Sequence, residues 1–298
     1  MVTRGNNVQA LTPKPIVKWA GGKSRLLPEL QSRVRAARGG IRTYAEPFAG
    51  GAALFFALAG ARLEGKNKRP PFERAVLSDR NEDLVACYRA VRDDVDAVIE
   101  ALRQYRYDAE LYYATRNLDP SRMSDVERGA RLIFLNRTCF NGLWRVNASG
   151  KFNVPFGRHA NPRIVDVERL EAASRALQGV DIEVNDFCET TRNLGEGDFV
   201  YFDPPYVPVS DTADFTSYAS GGFGSDDQAR LVAEFSALRE RGARAMLSNA
   251  DTEETRALYA DFAAYVVRAP RLINRDATKR GETNELLVLN WGRRGLYE

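Results

Sequence analysis

Short runs of β-branched and aromatic residues punctuate this chain: IRTYAEPF, RAVLSD, VDIEVND, DFVYFDPP, RAMLSN, AYVVRAP and ELLVLNW. Several are apolar without interruption. A strand with one face in water alternates polar and apolar residues, so an unbroken run marks a strand covered on both faces, as in parallel sheets flanked by helices. The segments between them carry apolar residues at helical spacing. GAALFFALAG (51–60) follows the first run, and NEDLVACYRAVRDDVDAVIEALRQY, expected as one long helix with Asn81 as its cap, follows the second. The alternation predicts an α/β layer fold on a mostly parallel sheet.

Between about 86 and 162 the rhythm stops. DAELYYATRNL and DVERGARLIFLNRT read as helices, and NGLWRVNASGKFNVPFG sets NASG between two short β-like runs, the pattern of a hairpin. Helices plus a hairpin inside a strand-helix alternation predict an insertion. It divides the chain into the first part of one domain at 1–85, an inserted domain at 86–162 and the second part of the first domain at 163–298. YASGGFGSDD (218–227), rich in glycine and serine and directly after DFVYFDPP, is a candidate flap.

Composition excludes more than it assigns. The 298 residues, 44% hydrophobic and 28% charged, are those of an ordinary globular chain. The longest apolar run is far too short to cross a bilayer and the first residues lack the apolar core of a secretory signal, so the expected location is the cytoplasm, with no membrane partner. Cys87, Cys139 and Cys188 form neither a disulfide framework nor a C-x-x-C pair, and no metal site is expected. The single histidine, His159, excludes any mechanism that needs two and disfavours a Ser-His-Asp site; it is expected at the surface or flanking the hairpin. A net charge of +3 says little about partners, but from Arg128 to Val165 the chain holds Arg128, Arg131, Arg137, Arg145, Lys151, Arg158 and Arg163 with no Asp or Glu. Such a stretch is either a surface whose counter-charges lie elsewhere in the fold or a nucleic-acid face. The interleaved Asn136, Asn141, Asn147, Asn153, Phe140 and Trp144 favour nucleic acid, because amides read bases and rings stack on them.

KWAGGKS (18–24) looks like a phosphate loop, but the spacing of a P-loop demands glycine where this chain has Val17. It is expected instead as a tight turn presenting Trp19 and Lys23 to something anionic or flat. In YAEPFAGGAALF a strand meets a glycine turn that opens a helix, where open α/β sheets bring backbone up to a nucleotide; a turn made only for close packing has the same pattern. Asp79 closes the next strand in VLSDRNEDL, placed to accept both hydroxyls of a ribose, although a strand-terminal Asp also serves as a cap. The two together favour an adenosine-containing cofactor. In DFVYFDPPY two prolines without N–H groups force the chain out of the sheet at Asp203. The strand end therefore offers a carboxylate, proline carbonyls and the Tyr206 ring, which suit an exocyclic amine on a stacked aromatic base.

KWAGGKS, EPFAGGAAL, LSDRN, the hairpin segment NRTCFNGLWRVNASGKFNVPFG, NDF (185–187) and DPPY occur in this order over nearly the whole chain, and together they resemble the motifs of the Dam-type DNA adenine-N6 methyltransferases. The resemblance implies a Rossmann-like S-adenosylmethionine-dependent methyltransferase sheet with an inserted helical plus β-hairpin DNA-recognition domain, the cofactor S-adenosylmethionine and double-stranded DNA as partner. By the same resemblance Trp19 and Lys23 contact the amino-acid end of the cofactor, Glu46, Phe48 and Gly50 belong to its glycine motif, Asp79 binds the ribose, and Asp186 and Phe187 the adenine ring. Asp203 lies between cofactor and target and, with Pro204 and Tyr206, forms the catalytic motif. Phe140 aligns with a residue that wedges into the duplex, Arg145 with a guanine reader, and Leu143 and Pro155 with contacts to thymine methyls and neighbouring bases. Arg137 and Asn141 fit phosphate or base contacts, and Arg275, Lys279 and Arg280 could hold phosphates or form a solvated loop. Trp144 stands where a small residue is expected. The implied site is GATC, or a longer one containing GAT, and a monomer suffices to read it.

The expected chemistry is a direct displacement. Asp203 and the Pro204 carbonyl accept the two N–H bonds of a flipped adenine amine, and Tyr206 stacks the base. Cytosine-C5 methylation is excluded because no cysteine follows the catalytic strand. Methyl transfer to RNA or protein and a DNA-binding module without catalysis are the alternatives.

Overall fold

Eight strands form one sheet among the residues that the computed structural model describes, which are 12–37, 40–64, 71–147, 149–206, 223–270 and 282–297. They are β1 (Ile41–Glu46), β2 (Phe72–Asp79), β3 (Asp181–Val184), β4 (Phe199–Phe202), β5 (Arg244–Ala250), β6 (Ala263–Pro270), β7 (Glu282–Leu289) and β8 (Gly295–Tyr297). Their order is β3-β2-β1-β4-β5-β7-β6-β8. β1 to β5 run parallel, whereas β7 is antiparallel to both β5 and β6. The chain builds outward from β1 through β2 to β3, then returns to β4 on the other side of β1. The C-terminal ends of β1 and β4 therefore flank a topological switch point, the place where open sheets of this kind form their ligand crevice.

All four residues of β4 are buried, as an unbroken apolar run requires. Successive side chains feed opposite layers. Phe199 and Tyr201 join Tyr44, Met246 and Leu287 on one face; Val200 and Phe202 join Ala45, Leu247 and Val288 on the other. The first face is covered by α2 (Ala53–Glu64), α3 (Glu82–Asp93) and α7 (Val167–Leu177), the second by α8 (Phe187–Thr191) and α9 (Ser225–Glu240). α1 (Leu27–Ala36) follows the KWAGGKS turn and packs on α2.

Asn81 caps α3, accepting the Leu84 N–H at 3.1 Å. The long helix expected after it is two helices. Asp94, extended at φ −150°, breaks the run and caps α4 (Val95–Arg103) by accepting the Ala97 N–H. A second cap inside an otherwise helical pattern is enough to reset the backbone. α5 (Ala109–Arg116) and α6 (Asp125–Thr138) follow, α6 opened by a reciprocal Ser124–Glu127 capping box. α6 packs on α3 and α4, with Gly129 so near Cys87 that a β-carbon would lie 3.1 Å from its Cα. The hydrophobic cluster is continuous from β1 through α3 to Trp144 and Phe152, and α3 spans the expected boundary at 85/86. After α6 come a 3-10 turn, Phe140–Gly142, and a rudimentary hairpin with antiparallel bridges Val146–Phe152 and Cys139–Phe156. Of the expected flap, 218–222 lie outside the described residues, while Ser225–Asp227 open α9. α10 (Glu253–Leu258) joins β5 to β6. No described helix is long and apolar enough to cross a membrane.

Candidate active site

The site grows from the ends of β1 and β4. Pro47 ends β1, and the chain turns through Gly50 and Ala52, both at positive φ (46° and 48°), into α2. Asp79, at the end of β2, accepts the Gly50 N–H at 3.0 Å and the Asn81 N–H at 2.9 Å, and the Tyr88 hydroxyl donates to the Gly50 carbonyl at 2.6 Å. Burial raises the Asp79 carboxyl above its ordinary range, against the pull of those N–H bonds. A β-carbon at Gly50 would lie 2.8 Å from Trp19 Cδ1, so glycine is what lets the Trp19 indole lie flat on this turn. Glu46 is buried beneath it, its Oε1 accepting from the Tyr44 hydroxyl at 2.5 Å and the Phe55 N–H at 2.7 Å. Desolvation, opposed by these bonds, pushes its carboxyl up to about 8.

At the end of β4, Asp203 Oδ1 receives two donors: Lys23 Nζ at 2.7 Å and Ser248 Oγ at 3.0 Å, the latter also bonded to the Tyr201 hydroxyl at 2.9 Å. Both contacts fall on Oδ1. Lys23 is only 4% exposed, so its ammonium requires a paired carboxylate. The same Nζ lies 4.8 Å from the centroid of the Tyr206 ring, whose hydroxyl donates to Glu285 Oε2 at 2.7 Å. Pro204 is buried, and the Pro205 carbonyl accepts from Gln228 Nε2 at 3.4 Å. Lys23, expected to face a cofactor carboxylate, here has the catalytic-motif aspartate as its partner.

The wall beside the glycine turn is aromatic. Phe48 stacks on Phe187 at 5.5 Å and meets Phe223 edge-on at 5.6 Å. Phe187 is buried under the Arg230 guanidinium, 4.9 Å from its ring. Asp186 caps α8 and pairs with Arg230 at 2.7 Å.

The candidate DNA residues divide into two groups. Phe140 is 51% exposed at the tip of the 3-10 turn, beside exposed Asn141 at φ 57°. Arg145 and Pro155 are exposed and Leu143 half-exposed on the same hairpin; Arg145 Nε donates to Asn153 Oδ1 at 2.7 Å. Arg137 is turned inward, Nη2 donating to the Ile16 carbonyl at 2.7 Å, so the contact observed for it is internal. Arg128 and Arg131 are likewise engaged with Asp83, and Arg163 with Asp166. Part of the basic stretch is thus framework with counter-charges elsewhere in the chain, and the exposed part is Arg145, Lys151, Arg158 and the ion-paired Arg163. Arg275, Lys279 and Arg280 lie outside the described residues. His159 is half-buried, a ring nitrogen 2.9 Å from the Cys139 carbonyl. Burial pushes the Cys87 and Cys139 thiols up to about 12, which leaves neither a ready nucleophile.

Two connections tie hairpin to crevice. Trp144, 2% exposed, stacks on Trp19 at 6.2 Å and fills the space that a small residue would leave. Asn136, fully buried, accepts the Lys18 N–H at 2.8 Å and donates to the Lys18 carbonyl at 2.8 Å and the Gly142 carbonyl at 3.1 Å. Sequence reasoning did not find Asn136 in this role, nor Ser248 or Glu285. For Ser248 and Glu285 the available signal was a polar pair at one end of an apolar strand, in RAMLSN and in NELLVLNW.

The profile of the family described as D12 class N6 adenine-specific DNA methyltransferase matches residues 19–273. The chain is 40% identical to the type II methyltransferase M.MjaIII of Methanocaldococcus jannaschii, over 93% of this chain and 99% of that one. It is 39% identical to the type II methyltransferase M1.LlaDCHI of Lactococcus lactis, covering 94% and 96%. It is 31% identical to the DNA adenine methylase of Escherichia coli, covering 93% and 95%. With Asp-Pro-Pro-Tyr at the switch point of a parallel-dominated sheet and a match that spans most of its length, this chain belongs to the D12 class of N6 adenine-specific DNA methyltransferases.

Proposed function

We propose that this protein transfers a methyl group from S-adenosylmethionine to the N6 amine of an adenine flipped out of double-stranded DNA, within GATC, and that it acts as a monomer. The observation that carries the reading is the convergence of Lys23, Asp203 and Tyr206 at the end of β4, next to a glycine turn with an acidic strand end. The residues fit the cofactor: the tight turn at Gly50 carries the Trp19 indole against it, Phe48 and Phe187 form an apolar wall suited to an adenine ring, and the Asp79 carboxylate at the turn has acceptor oxygens suited to a ribose. Trp19 and Lys23 would border the amino-acid end, Lys23 from its pairing with Asp203, and Glu46 lies buried beneath the turn.

S-adenosylmethionine supplies an electrophilic methyl when bound. The chain's own part is to position the nucleophile. The amine of adenine is weakly nucleophilic because its lone pair is delocalised into the ring. Asp203 Oδ2 and the Pro204 carbonyl accept its two N–H bonds and draw the nitrogen toward tetrahedral geometry, while Tyr206 stacks the base. Ser248 and Lys23 hold the carboxylate from its other oxygen. We assign DNA recognition to the 86–162 segment, with Phe140 as the wedge, Arg145 reading guanine, and Asn141, Leu143 and Pro155 contacting the neighbouring duplex.

One experiment tests this. Incubation with labelled S-adenosylmethionine and duplex DNA, RNA or protein is expected to label only duplex DNA, with nuclease digestion placing the methyl on adenine in GATC. Asp203→Ala is expected to abolish transfer while retaining DNA binding; near-normal turnover overturns the assignment.

A further inference from the structure

We propose that Glu285 is a positioning residue for base flipping: it accepts a hydrogen bond from the Tyr206 hydroxyl and fixes the ring on which the extruded adenine stacks. The proposal rests on the function proposed above and names a residue outside every motif that suggested it.

Tyr206 follows two prolines beyond the end of β4, and neither proline can be anchored through an N–H group. Among the described residues, the strand pairing of β4 stops at Phe202, before this corner. The ring is fixed at its tip, where the hydroxyl donates to Glu285 Oε2 at 2.7 Å across 79 residues of chain. Glu285 sits on β7, paired with Ala250 of β5 and Val267 of β6, so its backbone is held from both sides. On this antiparallel strand Glu285 lies two residues from Leu287, the partner of Ser248, and strand alternation places Glu285 and Ser248 on one face of the sheet. One face thus supplies Ser248 to Asp203 and Glu285 to Tyr206. A ring tethered at a rigid strand offers its face at a constant angle, which spares the ordering cost when a base stacks on it. The antiparallel addition to the parallel sheet brings this carboxylate to the crevice; β1 to β5 have no residue in its place.

The test uses the full-length protein, a duplex carrying 2-aminopurine at the target adenine, and the same duplex with adenine for methyl transfer. Glu285→Ala is expected to lower the flipping fluorescence and kcat at least tenfold, with melting temperature, duplex affinity and binding of a non-reactive cofactor analogue unchanged. Glu285→Gln retains an acceptor and is expected to restore both signals. Tyr206→Phe keeps the ring but loses the hydroxyl, so it should reproduce the Glu285→Ala loss, and the double variant should be no worse than either single one. Wild-type flipping in Glu285→Ala or in Tyr206→Phe overturns the proposal. So does a Glu285→Gln variant as impaired as Glu285→Ala, which would make the charge facing Lys23 the important feature. If Glu285→Ala does not fold, Tyr206→Phe and Glu285→Gln decide alone. A wild-type protein that fails to methylate duplex adenine defeats the function proposed above, whereas an active wild type with unaffected variants defeats this inference only.

Discussion

Replacing Asn136 by alanine should separate the KWAGGKS turn from the hairpin. The side chain makes three hydrogen bonds, to both main-chain groups of Lys18 and to the Gly142 carbonyl, from a position with no solvent exposure. Each is worth about 1 kcal/mol net, or about 1–3 kcal/mol where its loss leaves a buried carbonyl unsatisfied. Gly142 carries that penalty in full; Lys18 lies nearer the surface and recovers part of it from water. The expected loss is about 3–5 kcal/mol, read as a lower midpoint in urea denaturation at unchanged slope. A domain of ordinary stability, about 5–15 kcal/mol, still folds. Asn136→Asp is the sharper variant. It keeps an acceptor for the Lys18 N–H but aims a carboxylate at two carbonyls, so it should be less stable than the alanine variant at neutral pH and recover toward acid. Because Lys18 adjoins Trp19 and precedes Lys23 by five residues, cofactor affinity in Asn136→Ala should fall along with stability. A loss below about 1 kcal/mol, or an aspartate variant as stable as wild type, would refute the reasoning.

Glu46 predicts a pH effect. Its carboxyl is pushed from 4.5 to about 8 by burial, so between those values the unfolded chain releases a proton that the folded chain keeps. Stability associated with this group therefore declines as pH rises through that window, by up to about 5 kcal/mol at the upper end. Glu46→Gln does not titrate, and its stability relative to wild type should grow from pH 5 to pH 8 in parallel urea titrations; a constant difference would contradict the assignment. Phe140→Ala and Arg145→Ala alter exposed side chains, so each should leave stability within about 0.5 kcal/mol of wild type. The first should weaken flipping of 2-aminopurine, and the second should relax discrimination at one base pair by about 1–3 kcal/mol, measured with single-substitution duplexes.

What the sequence alone determined is what neighbouring residues decide between themselves. The unbroken apolar runs became buried strands, Asn81 became a cap, and two consecutive prolines ended β4 at Asp203, because periodicity, capping and the missing proline N–H act within a few residues. Even there a local competitor won once, when Asp94 capped a second helix inside a run expected to be single. Only the tertiary structure decided which groups meet. Lys23 and Asp203 are 180 residues apart, Asn136 and Lys18 are 118 apart, and Tyr206 finds its acceptor on an antiparallel strand added at the far side of β5. Hydrogen-bond partners at such separation follow from strand order and direction. Nothing in a glutamate's immediate neighbours says whether it will face solvent or the hydroxyl of a distant tyrosine.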